Sequence, residues 1–235
     1  EGRPVIEEHL RDAREALVFE AGRAGDAIIT RRKGTGTVTA TATGRAAHAG
    51  NGHPEGVNAI WALACFVDLA QQLTSYDEGC TLNVGRFTGG QVANTVPDRA
   101  EALVDLRFTS LAQGQRLIDA LGAAAREAER RVPGARVQLG GGLSRAPLER
   151  TPASERLRQR YGAAARAEGL GDGEAPLLGG GSDACTTSAL GIASIDGLGP
   201  RGKGFHTLDE QIEAATLVPR AAALVRLLAA GDAAR

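Results

Sequence analysis

The residues best suited to chemistry are few and widely spaced. There are four histidines, His9, His48, His53 and His206. Two of them, His48 and His53, fall in one glycine-rich stretch, GRAAHAGNGHPEGVNAI at 44–60. An alternating run precedes it and an amphipathic run follows, so His48 is expected in a loop between a strand end and a helix start. Loops on a rigid scaffold carry binding groups, and imidazole changes charge near neutral pH. The same spacing also suits a surface loop whose histidines make only local hydrogen bonds. Glu20 ends the short apolar run at 16–19. A carboxylate there sits where α/β sheets place ligands, although a plain loop-capping role fits the same position. The run GGGSD at 179–183 opens a helical segment, whose free backbone N–H groups favour an anion. It lacks the Lys of a phosphate-binding P-loop, which counts against a phosphate-binding module.

These residues need elements to position them. Residues 4–14 form a charged helical pattern with Glu7, Glu8, Arg11 and Arg14 on exposed positions. Residues 27–43 alternate, with Thr and Val dominating 35–43, which predicts a strand with one wet face. A helix is predicted over 54–73, strands over 80–87 and 100–108, a helix over 111–130 closed by Pro133 and Gly134, and a strand over 135–139. Strand, helix, strand, strand, helix, strand is the ferredoxin-like order. It places two helices on one face of a four-stranded antiparallel sheet and leaves the other face free to pack against a partner copy. Gly140, Gly141 and Gly142 read as a hinge. Beyond it, a helix at 151–167 capped by Thr151 or Ser154, a helix at 184–190, a strand at 192–198 and a helix at 217–228 give half of an α/β domain. The fold class is therefore α/β, with residues 1–30 and 143–235 forming one domain and 31–142 inserted into it.

Composition excludes several classes. The formal net charge is −1 and both signs are interspersed, so no basic stripe marks a nucleic-acid surface. No apolar run is expected to reach the ~20 residues of a membrane span, because Pro219, Arg220 and Arg226 interrupt the Ala- and Leu-rich tail. The three cysteines, Cys65, Cys80 and Cys185, are far apart and form no CxxC. Free buried thiols in a reducing, cytoplasmic setting are the expectation. Met is absent and does not open the chain, which reads as a processed or truncated product.

Seven motifs in order carry a resemblance. They are LVFE at 17–20, GRAAHAG at 44–50, GVNAI at 56–60, NTVPDRA at 94–100, DLRF at 105–108, GGGSDA at 179–184 and GFHTLDE at 204–210. Together they resemble the M20 family of zinc-dependent peptidases and amidohydrolases, especially its glutamate carboxypeptidases of the carboxypeptidase G2 type. Desuccinylases and deacetylases of amino-acid conjugates are related. The resemblance implies a zinc-peptidase-like α/β catalytic domain, incomplete at its N-terminal side, with a ferredoxin-like lid that forms a homodimer. It implies two zinc ions, with cobalt or manganese as other candidates. It implies Glu20 and His206 as metal ligands, His48 as a catalytic group reaching the partner's site, and Asn94 beside it. Arg107 is implied for the substrate, with a surface salt bridge as its other reading. Arg145 is implied as a carboxylate clamp, and Gly180, Gly181 and Ser182 as the loop receiving that carboxylate; Asp183 reads as orienting a ligand or as a helix cap, with the cap preferred. The family's first His, its bridging Asp and its Glu-Glu pair are expected before the point where this chain begins. The pair Glu7-Glu8 lies in a charged helix and is read as surface. The function implied is hydrolysis of an amide or peptide bond beside a free carboxylate, as a carboxypeptidase or an N-acyl-amino-acid deacylase, releasing glutamate in the nearest resemblance. The alternative is a non-catalytic chain that folds and dimerises through its lid. Small N-acyl amino acids or peptides are the expected substrates, with no nucleic acid and no membrane as partner.

Overall fold

The computed structural model describes residues 3–10 and 12–232, without the side chains of Arg3, Glu7 and Asp232. Arg11, expected on an exposed helical position, lies outside the described residues, whereas Glu8 and Arg14 are exposed. The chain divides into two compact units, residues 1–33 with 146–235 and residues 34–145.

The first unit opens with α1 (Arg3–His9) and β1 (Glu15–Leu17). The helix is shorter than the charged pattern suggested, and residues 12–14 form a turn. The chain then builds the second unit from β2 (Gly34–Thr43), β3 (Ala47–His48), α2 (Ala59–Gln71), β4 (Thr81–Gly89), β5 (Thr95–Val96), β6 (Arg99–Phe108), α3 (Leu111–Arg131) and β7 (Arg136–Arg145). It returns to the first unit with α4 (Pro152–Ala167), α5 (Asp183–Ala189), β8 (Ala193–Ile195), β9 (Gly202–Lys203), β10 (Gln211–Ile212) and α6 (Leu217–Asp232).

The second unit is a four-stranded antiparallel sheet in the order β4-β6-β2-β7. Its buried face is made of small and branched residues: Val38, Ala40 and Ala42 on β2, and Ala102, Val104 and Leu106 on β6. Strand residues two apart share a face, so the alternation visible at 35–43 becomes one buried row. Leu63 and Phe66 of α2, with Leu121, Ala125 and Ala128 of α3, close over that row. Helix α2 begins at Ala59 rather than 54 because Asn58, in extended backbone, accepts the Trp61 N–H and caps it there. Ser110 caps α3 in the same way, through the Gln113 N–H at 3.1 Å.

The three glycines at 140–142 are not a hinge. They continue β7 and pair with Thr39, Val38 and Thr37 of β2. Gly141 has φ +86°, and a Cβ built there would lie 2.3 Å from the Thr37 carbonyl oxygen. Glycine is required because the two backbones approach too closely for any side chain.

In the first unit β1 pairs in parallel with β8. Both strands are shorter than the apolar runs that announced them. Ile28, Leu157, Tyr161, Ile195, Leu198, Ala223 and Leu227 form its main core. Helix α4 starts in a reciprocal cap, with Thr151 accepting the Ser154 N–H and Ser154 Oγ accepting the Thr151 N–H. Contrary to expectation, the stretch Ala214–Gly231 is long and apolar enough, by length and composition alone, to cross a membrane. In this unit it supplies Ala223 and Leu227 to the core, and its Arg220 is buried against Asp26 at 2.9 Å. The three cysteines are free, with Cys80 and Cys185 buried and Cys65 half-buried.

The difference between a hinge and a strand is measurable. Gly141→Ala is expected to destabilise the protein by more than ~1 kcal/mol in urea unfolding, because φ is positive and a carbonyl occupies the Cβ position. Gly140→Ala, with no atom within 4 Å of its Cβ position, is expected to change stability little. Equal tolerance of both substitutions would restore the hinge.

Candidate functional site

In the second unit, His48 and Asn94 come together on one short ladder. Ala47 pairs with Val96 and His48 with Thr95, and the Ala49 N–H donates to the Asn94 carbonyl at 2.9 Å. Both His48 and Asn94 are exposed. The His48 Nδ1 accepts the Gly50 and Asn51 N–H groups, each at 3.1 Å. An acceptor Nδ1 leaves the proton of the neutral ring on Nε2, which becomes a hydrogen-bond donor. The glycine-rich wording of 44–60 thus sets a tautomer.

The two arginines lie elsewhere in the same unit. Arg107 and Arg145 flank Thr35 in register, one on each neighbouring strand. Arg145 is exposed. Arg107 makes a two-pronged pair with Asp105 on its own strand, at 2.8 and 3.1 Å. His48 follows the far end of β2, past Thr43. Thr35 and Thr43 are roughly 27 Å apart at about 3.4 Å per residue. Of the residues that the resemblance groups at one site, the arginines therefore sit beside Thr35 and His48 and Asn94 on a separate ladder past Thr43.

In the first unit the segments carrying Glu20 and His206 run side by side. The Gly199 N–H donates to the Glu20 carbonyl and the Gly22 N–H to the Pro200 carbonyl, both at 2.9 Å. The Arg23 guanidinium lies over the Phe205 ring at 5.2 Å. A Cβ at Gly199 would sit 2.7 Å from the Phe19 carbonyl oxygen, so glycine allows the two segments to touch. Glu20 and His206 are exposed. His206 has φ +65° and donates its backbone N–H to the Glu210 carboxylate at 3.1 Å. Carboxylate and imidazole are suitable zinc donors. Among the described residues, however, no three His, Cys, Asp or Glu side chains gather closely enough to hold a metal. The described residues do not by themselves gather a full set of metal donors.

The GGGSD loop is fixed by Arg32 and Asp196, which none of the seven motifs contains. Ser182 caps α5 through the Ala184 N–H at 3.2 Å, a role expected of Asp183, which is instead exposed in the first turn. Ser182 is buried and donates its Oγ to Asp196 at 2.6 Å. Asp196, fully buried, also accepts Arg32 Nε at 2.6 Å and the Gly197 N–H at 2.5 Å. Arg32 Nη1 in turn holds the Gly180 carbonyl at 3.1 Å. Gly180 and Gly181 are exposed, whereas Ser182 is committed to this network. A second buried carboxylate, Asp26 with φ +56°, holds Arg220 and Arg201, each at 2.9 Å. One cue to Asp196 was present: a lone acid inside the apolar run at 192–198.

With this geometry described, the comparisons give the class. Residues 30–133 match the family model of the peptidase dimerisation domain. Over these residues the chain is similar to the dimerisation domain of the M20 peptidases. It is similar to carboxypeptidase G2 of Pseudomonas sp. (strain RS-16), with 26% identity over 234 residues, 97% of this chain and 56% of that protein. It superimposes on aminopeptidase PepT from Bacillus cereus ATCC 10987 with TM-score 0.82 and 22% identity, over 96% of this chain and 60% of that one. It also superimposes on a tripeptidase from Staphylococcus aureus subsp. aureus mu50 with TM-score 0.81 and 23% identity, covering 96% and 59%. The chain thus spans less than two thirds of the length of these relatives.

The buried pair gives a direct test. Asp196→Asn removes the charge opposite Arg32 and is expected to cost about 3–5 kcal/mol, the usual effect of stranding one partner of a buried ion pair. Urea unfolding reads it, and a loss below ~1 kcal/mol would mean that the pair does not hold this unit.

Proposed function

We propose that this chain is part of a metal-dependent hydrolase that cleaves an amide or peptide bond beside a free carboxylate, in an N-acyl amino acid or a short peptide. Release of a C-terminal glutamate is the finer form of this reading and draws on the similarity to carboxypeptidase G2. One observation carries it: His48 and Asn94 meet at the short β3–β5 ladder that follows the Thr43 end of β2, whereas Arg145 pairs with Thr35 at the other end of that strand. Residues so far apart in one rigid unit serve a single small substrate only when two copies contribute. The reading is therefore a homodimer, formed through the lid, in which Arg145 acts on its own chain's substrate and His48 and Asn94 act on the partner's.

The chemistry of each residue follows. His48, with Nδ1 tied to two backbone N–H groups, offers Nε2–H to the scissile carbonyl oxygen, where negative charge develops in the transition state. A donor aimed at that charge is worth about 10²–10³ in turnover. The planar fork of Arg145 suits the two oxygens of a carboxylate. Glu20 and His206 are proposed as two donors of a larger zinc set, the others lying beyond the described residues. Arg107 is engaged with Asp105 and is assigned to the lid's own surface. A second reading is a non-catalytic chain that dimerises through its lid.

Two measurements test these readings. In a hydrolase of the relatives' length, His48→Ala and Glu20→Ala should each abolish most turnover. Mixing and reassociating the two inactive proteins should restore about a quarter of it, the share of sites that random pairing of a two-fold dimer makes complete. No recovery from confirmed mixed dimers would place His48 outside the partner's site. The second measurement is zinc retained by the present chain after metal-free dialysis and reloading. Near zero is expected from two donors; tight binding of one or two ions would show that other residues complete the site.

A further inference from the structure

Among the described residues of the first unit, Arg23 is a charged side chain without a full set of partners. Its Nε is buried with no hydrogen-bond partner, and its guanidinium takes part in none of the hydrogen bonds or ion pairs of the described residues. Arg32, Arg201 and Arg220, the other arginines of this region, are all paired with carboxylates. The charged neighbours of Arg23 are Arg32, Asp196 and Glu20. Asp196 is already saturated by Arg32, Ser182 and Gly197. Glu20 forms no ion pair with Arg23 and is exposed. Burial, followed by the repulsion of Arg32, lowers the pKa of Arg23 from its ordinary value. A guanidinium does not shed its proton in a protein. An anion from outside the chain, reaching the Nη groups rather than the buried Nε, would offset the repulsion of Arg32.

Phe205 holds the Arg23 guanidinium in place, at 5.2 Å from the ring. The guanidinium lies over Phe205, the residue before His206, and such a cation–ring contact fixes the group without consuming its N–H donors. Arg32, beside it, holds the Gly180 carbonyl, so the exposed GGGSD loop belongs to the same neighbourhood.

We propose that Arg23 is an anion-binding residue of the first unit, and that its ligand is a carboxylate, taken up by the fork of a guanidinium held over Phe205. That the carboxylate is the substrate's own rests on the hydrolase reading; that the site binds a carboxylate does not. The assignment adds a carboxylate-binding residue in the first unit to Arg145 in the second.

The test uses the present chain and glutarate, a dicarboxylate with no amide to cleave, titrated calorimetrically at low salt. The wild-type chain is expected to bind it saturably. Arg23→Gln should weaken binding tenfold or more, and Arg23→Lys, which keeps the charge but loses the fork, several-fold. Arg166→Gln, which breaks a surface pair with Asp172, should leave affinity unchanged. If Arg23→Gln fails to fold, Arg23→Lys supplies the reading. The proposal is overturned by a folded wild-type chain without saturable binding, by equal affinity with and without Arg23, or by binding that is lost only in Arg145→Gln. A protein that hydrolyses nothing yet shows Arg23-dependent binding would lose the hydrolase reading and keep this site. An active hydrolase that binds glutarate equally with or without Arg23 would do the reverse.

Discussion

Asp196, fully buried, ties two distant stretches of the first unit, 29–32 and the start of α5, to its own strand end. Its backbone exchanges hydrogen bonds with Ile29, both at 2.9 Å. Its side chain takes Arg32 from the chain segment that leads into β2, Ser182 from the start of α5, and the N–H of its own neighbour Gly197. Burying a carboxylate and a guanidinium costs several kcal/mol each, and their attraction offsets this only when geometry and the remaining hydrogen bonds are good. Here the carboxylate has three donors and Arg32 a second acceptor in Gly180. An apolar pair of the same size could stabilise as well, but it would not specify which loop meets which strand. The directional pair does, and the position of the glycine loop depends on it.

The second buried carboxylate extends the same logic. Asp26 binds Arg220, whose other nitrogen holds the Gly197 carbonyl at 3.1 Å. Asp196 and Gly197 are thus held from both sides, by Arg32 through a side chain and by Arg220 through a backbone carbonyl. The turn that follows delivers residues 199–206 alongside 19–23. In this unit local propensity is weak: β1, β8, β9 and β10 have two or three residues each. Buried ion pairs do the positioning that long strand ladders do in the second unit.

That contrast explains what could be read in the sequence. Strands β2 and β6 were legible because one face is buried and one wet, and the residues alternate accordingly. The start of α2 was misplaced by several residues because Asn58, a cap, resembles any other polar residue in a helical pattern. The glycines at 140–142 suggested a hinge because glycine does weaken strands; only the approach of Thr37, more than a hundred residues earlier in the chain, requires them. The Asp196 network was illegible for a similar reason. Arg32 and Asp196 are 164 residues apart in sequence, and no local pattern reports a contact of that range. His48 and Asn94 were found through motif wording, whereas the tautomer of His48 needed the turn geometry.

Rigidity also limits how the two ends of the lid can be used. β2 is paired along its whole length with β6 and β7, and its side chains are locked beneath α2 and α3. Bending such a sheet enough to bring His48 towards Arg145 would break ladder hydrogen bonds and expose a close-packed core. A substrate the size of an acyl amino acid cannot span the distance. If both ends act on one substrate, a second copy of the chain must supply one of them, and the matching dimerisation-domain family agrees with that demand. The case for the proposed homodimer rests on the stiffness of this sheet.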